Sequence, residues 1–422
     1  MTVDHPAARP GIALLVTLVI LALLAVFLTE FAFETNLETR GIRNFQSSFR
    51  ARNAVKSLFK AALIGLQGGL DGKKLTERKF LEQLSLPPQW GGSGSFLNPA
   101  RPEELPEILI SKQLPGLAES FPNVIFYTPY IRPIDHLFNL NRINPKNEPG
   151  KKKDREVRNE FSNIMQSITI EQKPDKDLPP VSMGLGLEAI PVFYASIYEW
   201  ADENDEFDYP DSRIEQHRDL ETDWTVKNAP FDRLEEIVLI QSKLVQDGHI
   251  NLRIPLRSES IDQDSWDRYF TTFPVGNREG EKLGSPRINV NLASKEEIEE
   301  FLNRHVDPTI PLSNKRQKYI SSAEDIGSVL QPEDPLGKKE EYLSFYEIKS
   351  RLRGNPTTSD LDDYHKNFFI LYSSWYQIQL KAEIENVAAE VRAVIELERD
   401  DKGQVRQLSG EYQIHIHDFQ LL

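Results

Sequence analysis

The stretch from Ile12 to Leu28 constrains the fold most. It is seventeen residues of apolar character without a charge, preceded by only eleven residues. As a helix it covers roughly 26 Å at about 1.5 Å per residue, and continuing through Phe31 and Phe33 brings it to bilayer thickness. No proline occurs between Pro10 and Pro87, so nothing forces the helix to stop with the apolar run. Beyond it, Phe45, Phe49, Val55, Leu58, Phe59, Ala62, Leu63 and Leu66 recur at three- and four-residue steps among Arg, Lys, Gln and Ser. That spacing predicts an amphipathic helix whose stripe lies on a folded domain. The expectation is one helix of roughly fifty residues, half soluble in lipid and half packed on protein.

Three readings of this start compete. A cleaved secretory signal has an h-region of about 7–15 residues and a small-residue cleavage site, whereas this run is longer and Thr29 to Phe33 continues helical. A plain uncleaved anchor fits the pattern. The third reading is a prepilin-type signal, in which a membrane peptidase cuts after a glycine just ahead of the apolar run. Gly11 occupies that junction, and a cut there leaves Ile12 as the new N-terminus with the helix retained.

With 422 residues there is room for two or three compact units beyond the helix. The net charge of −15 disfavours nucleic acid as a partner. The absence of cysteine removes disulfides, thiolate metal sites and thiol nucleophiles together. Charges flanking the helix give an ambiguous or reversed orientation, with Arg9 and Asp4 before it and Arg40, Arg43, Arg50 and Arg52 after it.

Four glycines between Gly65 and Gly72 are expected to end the helix, with a proline- and glycine-dotted loop from Pro87. Asn123 to Tyr127 reads as a strand. Asn144 to Glu160, carrying Lys151 to Lys153, reads as a solvated loop, with a basic nucleic-acid patch as the weaker alternative. Leu187 to Trp200 has the spacing of an amphipathic helix, Phe231 to Val245 forms another, and Asp267 to Phe273 reads as a strand. Ser294-x-x-Glu297 is a capping box opening a helix to about Arg304, and a short helix begins at Ser322. From Phe368 the period becomes two, with strands over 376–385, 391–397 and 404–416. A long helix, few strands, a helical middle and terminal hairpins make an α+β pattern with a helical domain inserted into a sheet. Phe138-Asn139-Leu140-Asn141 and Ile288-Asn289-Val290-Asn291 echo each other. In both, asparagines two apart end an apolar strand, where their side chains can satisfy backbone groups at a turn.

Catalytic motifs are missing: no HExxH, Walker A, GxSxG or GxGxxG occurs. The reading is therefore no enzyme, with a bitopic hydrolase lacking a recognised motif as the outlying alternative. His415 and His417 share a strand face and either ligate a metal or lie on a solvated edge. Asp202, Asn204, Asp205, Glu206, Asp208 and Asp211 place hard oxygen donors within ten residues, which suits calcium or is simply a solvated acidic turn. It is no EF-hand, since the glycine expected at loop position six would be Phe207.

In order along the chain, the Gly11 junction, the segment Trp200 to Asp211, Asn228-Ala229-Pro230-Phe231-Asp232-Arg233-Leu234-Glu235-Glu236 and Ile288 to Ala293 resemble type II secretion system protein K. That family is the large minor pseudopilin of the general secretion pathway. Most pilins carry glutamate five residues after the cut; here that position is Val16, and the first carboxylate of the helix is Glu30. A carboxylate in lipid is costly without a partner, and protein K typically lacks it. The resemblance implies a pilin-like fold, a long N-terminal helix on an antiparallel sheet, with a large inserted helical domain of SAM-like or helix-hairpin-helix type. Its expected divisions are a leader (1–11), the helix (12–66, transmembrane over 12–33), the first part of the pilin-like domain (67–135), the insertion (136–355) and the C-terminal strands (356–422). It further implies calcium sites in the helical domain and a single pass through the bacterial inner membrane with the bulk of the chain in the periplasm. The partners it implies are the minor pseudopilins I and J, the major pseudopilin and the prepilin peptidase, with secretin or cargo beyond them. The implied role is capping the pseudopilus tip in export of folded proteins. A membrane-anchored periplasmic calcium-binding module of another system is the alternative.

Overall fold

The computed structural model describes residues 10–66, 115–143, 149–172, 181–184, 186–202, 226–250, 253–257, 264–275, 285–289, 300–301, 304–305, 368–370, 372–398, 407–408 and 411–422. Helix α1 (Pro10–Leu66) runs for 57 residues without interruption. In its N-terminal half, Leu14 to Phe33 are exposed throughout. Further on, Ser47, Ala51, Ala54, Val55, Leu58, Phe59, Ala62 and Leu66 are buried, a stripe at helical spacing pressed on a sheet.

That sheet is antiparallel and four-stranded, in the order β1-β8-β9-β12, with β1 (Ile125–Pro133), β8 (Trp375–Ile384), β9 (Val387–Leu397) and β12 (Ile414–Leu421). Strict alternation explains its core face: Tyr376, Ile378, Leu380, Ala382 and Ile384 of β8 and Ala389, Val391, Ala393, Ile395 and Leu397 of β9 are buried beneath α1. The β8–β9 hairpin closes through Glu385 and Asn386 at φ 50° and 66°, since Ile384 pairs with Val387. Both residues are left-handed, as a type I′ hairpin turn requires. The Ser47 hydroxyl of α1 donates to the Glu385 carboxylate at 3.0 Å, so the helix also grips the hairpin tip.

Between β1 and β8 the chain forms a second unit with its own core. A short helix α2 (Pro115–Ser120) precedes β1, and β2 (Phe138–Asn139) follows it. The unit then adds α3 (Lys152–Ser167), β3 (Thr169–Gln172) paired with β4 (Val181–Gly184), α4 (Ala189–Ala201), α5 (Glu236–Gln246), α6 (Trp266–Tyr269) and β5 (Phe270–Thr271). The pairs β2 with β5, and β6 (Ile288–Asn289) with β7 (Phe369–Ile370), are both parallel. The core is aromatic: Phe161 lies 5.6 Å from Tyr194 and 5.7 Å from Phe270, and Trp266 lies 5.3 Å from both Phe193 and Phe270, ring centre to ring centre. Ile134, Leu137, Val275, Trp375 and Val394 form a smaller apolar cluster where this unit meets the sheet.

The fold is thus α+β as expected, with local differences. The segment containing Lys151 to Lys153 is no solvated loop beyond Lys151; Lys152 begins α3, whose Val157, Phe161, Ile164 and Met165 are buried. Those four stand at i, i+4, i+7 and i+8, a helical stripe that the lysine run masks. Phe45 and Phe49 do not join the buried stripe of α1 and are exposed. At about 100° per residue they lie roughly 120° around the helix from it. Helix α4 is buried on nearly every side, including Ser196 and Glu199, rather than amphipathic. The expected strand 267–273 is the helix α6 followed by the two residues of β5. The third terminal strand divides: β10 (Gln407–Leu408) and β11 (Glu411–Tyr412) pair with each other, and β12 then runs to Leu421. Strand β1 starts only after the left-handed Asn123 and reaches Pro133, its register shifting between Tyr127 and Tyr130. The capping box at Ser294, the helix from Ser322 and the loop after Pro87 lie outside the described residues.

Candidate functional site

Helix α1 is long and apolar enough to cross a membrane. Four of its threonine hydroxyls are answered locally: those of Thr17, Thr29, Thr35 and Thr39 donate to carbonyls three or four residues back. Gly11 lies within the first turn of α1. The exposed face does not end with the apolar run, since Ile42, Phe45 and Phe49 continue it on the side turned away from the sheet. An uncovered stripe at steps of three and four residues is the form in which one helix receives another.

The inserted unit presents the other candidate surfaces and is held by buried charge. Glu160 of α3 meets the Arg142 Nη2 at 2.7 Å and the His305 Nδ1 at 2.6 Å. Burial alone would raise the Glu160 carboxyl, but Arg142 and His305 outweigh it and hold it near 2. Burial lowers His305, more than its bond to Glu160 raises it. Asp154, buried in the first turn of α3, accepts from the Tyr194 hydroxyl and from the Gly150 backbone N–H, both at 2.8 Å.

The motif 228–236 does lead into a helix, but α5 begins only at Glu236. Glu236 explains the delay. Its Oε1 accepts from the backbone N–H groups of Asp232 and Arg233 and from Lys227, and its Oε2 accepts from Trp200 Nε1 at 3.1 Å. One carboxylate therefore fixes the turn that leads into α5 and ties α5 to α4. The asparagine echo also has a structural counterpart. Asn139 accepts from the Asn141 N–H, while the Asn141 amide bridges Phe231 and Thr272. In the second copy Asn289 donates to the Ser373 hydroxyl at 2.9 Å. Each first asparagine ends a two-residue strand in a parallel pair.

Of the acidic residues with calcium-like spacing, only Asp202 is described; it caps the C-terminus of α4 and is buried. Asn204, Asp205, Glu206, Asp208 and Asp211 lie outside the described residues. Among the described residues no group of three or more His, Cys, Asp or Glu side chains is placed to hold a metal ion. His415 and His417 sit on the edge strand β12, each against a glutamate of the region around β9: His415 on Glu398 at 3.0 Å and His417 on Glu396 at 2.8 Å. His417 also stacks on Trp375. Sequence reasoning missed the Glu160, Asp154 and Glu236 centres, because each also needs a distant partner, His305, Tyr194 and Trp200 respectively, that no local pattern announces.

No protein-family model matches the chain, and no curated protein does. Among solved structures, it is similar to the crystal structure of the GspK-GspI-GspJ complex from the enterotoxigenic Escherichia coli type 2 secretion system. The match covers 91% of this chain and 99% of that chain, with 12% sequence identity and a TM-score of 0.41. A likeness of that size says nothing of activity or partners. The fold stands on the chain's own elements: a long N-terminal helix whose second half is buried on an antiparallel sheet, and a mainly helical unit between that sheet's first two strands in chain order.

Proposed function

We propose that the protein is a minor pseudopilin of a type II secretion system, of the protein K type. One observation carries the reading. A single helix is bare and apolar over its first half and buried on its own sheet over its second, with a large unit inserted between β1 and β8. A helix of that kind serves twice, as an anchor in lipid and as a packing element among neighbouring helices. Val16, in place of a carboxylate, suits a subunit with no neighbour above it. On this reading the chain caps the tip of a periplasmic pseudopilus and supports export of folded proteins. It stands with the minor pseudopilins I and J on the major pseudopilin, anchored once in the inner membrane, with secretin or cargo as further contacts.

The deciding experiment is the intact mass after co-expression with a prepilin peptidase. Loss of residues 1–11, leaving Ile12 first, supports the reading. An unprocessed chain beside a processed control prepilin defeats it.

Calcium belongs to the same proposal. The oxygen-rich set Asp202, Asn204, Asp205, Glu206, Asp208 and Asp211 has the donor chemistry calcium takes, and Asp202 would join the end of α4 to such a site. A calcium titration followed by thermal unfolding tests it: a melting temperature that does not rise with calcium rejects the site.

A further inference from the structure

Helix α1 carries a charged stripe besides its buried one. Glu30, Glu34 and Glu38 follow one another at i, i+4 and i+8. Gly41, Phe45 and Phe49 stand eleven residues after them, and Arg52, Lys56 and Lys60 eleven residues after those. At about 100° per residue an eleven-residue period drifts only about 20° in three turns, so these side chains stay nearly in line. One straight face thus holds an acidic zone, an apolar zone and a basic zone in order along the helix. The sheet leaves it open: the six charged residues and both phenylalanines are exposed.

Nothing within the chain accounts for this order. Like charges four residues apart weaken a helix, and among the described residues none of the six meets an opposite charge. Arg40 and Arg43 are no answer to the acids, since they lie roughly 120° and 180° round the helix from Glu34. A side chain at position 41 would meet nothing within 4 Å, so the fold has no need of glycine there. Glycine weakens a helix interior, but a bare position between the zones lets a second helix approach closely.

The order also excludes partners. On the reading of α1 as a membrane anchor, which this inference rests on, a helix anchored beside it in the same membrane runs parallel to it. A second copy at the same height would then set acid on acid and base on base. An antiparallel copy would match the charges, but its anchor would point away from the membrane. We propose that this face docks a different, parallel membrane-anchored helix of reversed charge order. That helix carries Lys or Arg opposite Glu30, Glu34 and Glu38, apolar side chains opposite Phe45 and Phe49, and Asp or Glu opposite Arg52, Lys56 and Lys60. Opposite charge attracts it, and like charge keeps a second copy of this chain out. The face therefore selects a partner of another sequence, which an apolar run alone does not do.

The chain itself can supply such a helix for the test. The variant Glu30→Lys/Glu34→Lys/Glu38→Lys/Arg52→Glu/Lys56→Glu/Lys60→Glu reverses the order at unchanged net charge. Differently tagged full chains are co-expressed, and pull-down from detergent extracts is read at low and high salt. Melting temperature and protease accessibility in sealed vesicles check that both chains fold and face the same way. The native chain should capture the reversed one at least about tenfold better than either captures its own kind, with the excess lost at high salt. Glu30→Gln/Glu34→Gln/Glu38→Gln in the native chain should lose most of that excess. If the reversed chain fails to fold, capture of co-expressed minor pseudopilins I and J by the native and glutamine chains decides, and a tenfold loss in the latter is expected. Equal capture in every pairing, or none in any, overturns the docking face. Cleavage after Gly11 is read separately, so the pseudopilin reading stands or falls on its own.

Discussion

Arg132 on β1 and Asp267 on α6 form a buried ion pair, Nη2 to Oδ2 at 3.1 Å, between residues 135 positions apart in the chain. The same Nη2 donates to the Asp267 carbonyl, and the guanidinium also reaches the Gln377 amide oxygen on β8 through Nε at 2.9 Å. One side chain thus joins two strands of the sheet to the inserted unit. The small apolar cluster around Trp375 and Val394 lies at the same joint. The joint between the inserted unit and the sheet therefore contains charge as well as apolar contact.

Removing one partner should cost more than removing both. Arg132→Met leaves Asp267 as a buried unpaired carboxylate, and a loss of about 3 kcal/mol is expected. The double variant Arg132→Met/Asp267→Leu should recover most of it, because an apolar pair of similar volume carries no uncompensated charge. Denaturant titrations of the four chains of the cycle measure the coupling. Equal losses in the single and double variants would place the stability of the joint in the apolar cluster.

Stability should fall on acidification in two steps of the same sign. His136, held down to about 3, stays neutral in the folded chain while the unfolded chain takes up a proton below its ordinary 6.5. Stability is then lost from about pH 6.5 downward. Glu160 sits at about 2 against an ordinary 4.5, so its contribution is present above 4.5 and lost as pH falls toward 2. His136→Gln should reduce the slope of the upper part of the profile, where the lowered His305 acts with the same sign, and Glu160→Gln that of the lower part. Unfolding free energies measured from pH 7.5 to 3 in the three chains separate the two groups.

Helix α3 depends on its buried first-turn carboxylate. Tyr194→Phe removes one of the two donors to Asp154 and should cost about 1–3 kcal/mol, with little change in volume. Lys152→Ala and Lys153→Ala, at exposed positions of the same turn, should each change stability by less than about 0.5 kcal/mol. Thermal unfolding of the three variants distinguishes a helix fixed by Asp154 from one fixed by its apolar stripe alone.

How far the sequence led depends on how far apart the cooperating residues are. Helix α1 and strands β8 and β9 were legible because their signals are local: a long charge-free run, then alternation from Tyr376 to Leu397. The β8–β9 turn was not, since Glu385 and Asn386 adopt left-handed backbone without the glycine that usually announces it. Helix α3 was hidden because three successive lysines outweighed four well-spaced apolar residues in a short window. The asparagine turns were visible, but not that Asn141 reaches Phe231 and Thr272. The joint was invisible: Arg132, Asp267 and Gln377 carry no mutual pattern, and only the topology that returns β8 beside β1 brings them together. The acidic set after Trp200 could be read as donor chemistry but not as geometry, since composition does not say which oxygens converge.

The two stripes of α1 make opposite predictions. Leu58 is 1% exposed against the sheet, and Leu58→Ala should cost about 2–5 kcal/mol of stability. Phe45 and Phe49 are 73% and 60% exposed, so replacing both by alanine should change the stability of the isolated chain by under about 1 kcal/mol. On the proposed function, in which α1 packs among pseudopilin helices, those two rings would be covered in the assembly. Their removal should then weaken association with the proposed pseudopilin partners at least tenfold, while Leu58→Ala affects association only through folding. Pull-down from co-expressed detergent extracts, with melting temperature measured in parallel, reads both quantities. Unchanged association in the Phe45→Ala/Phe49→Ala chain would mean that this stripe is not the contact. Contact between subunits would then have to be sought within the exposed apolar run from Leu14 to Phe33 or on the inserted unit.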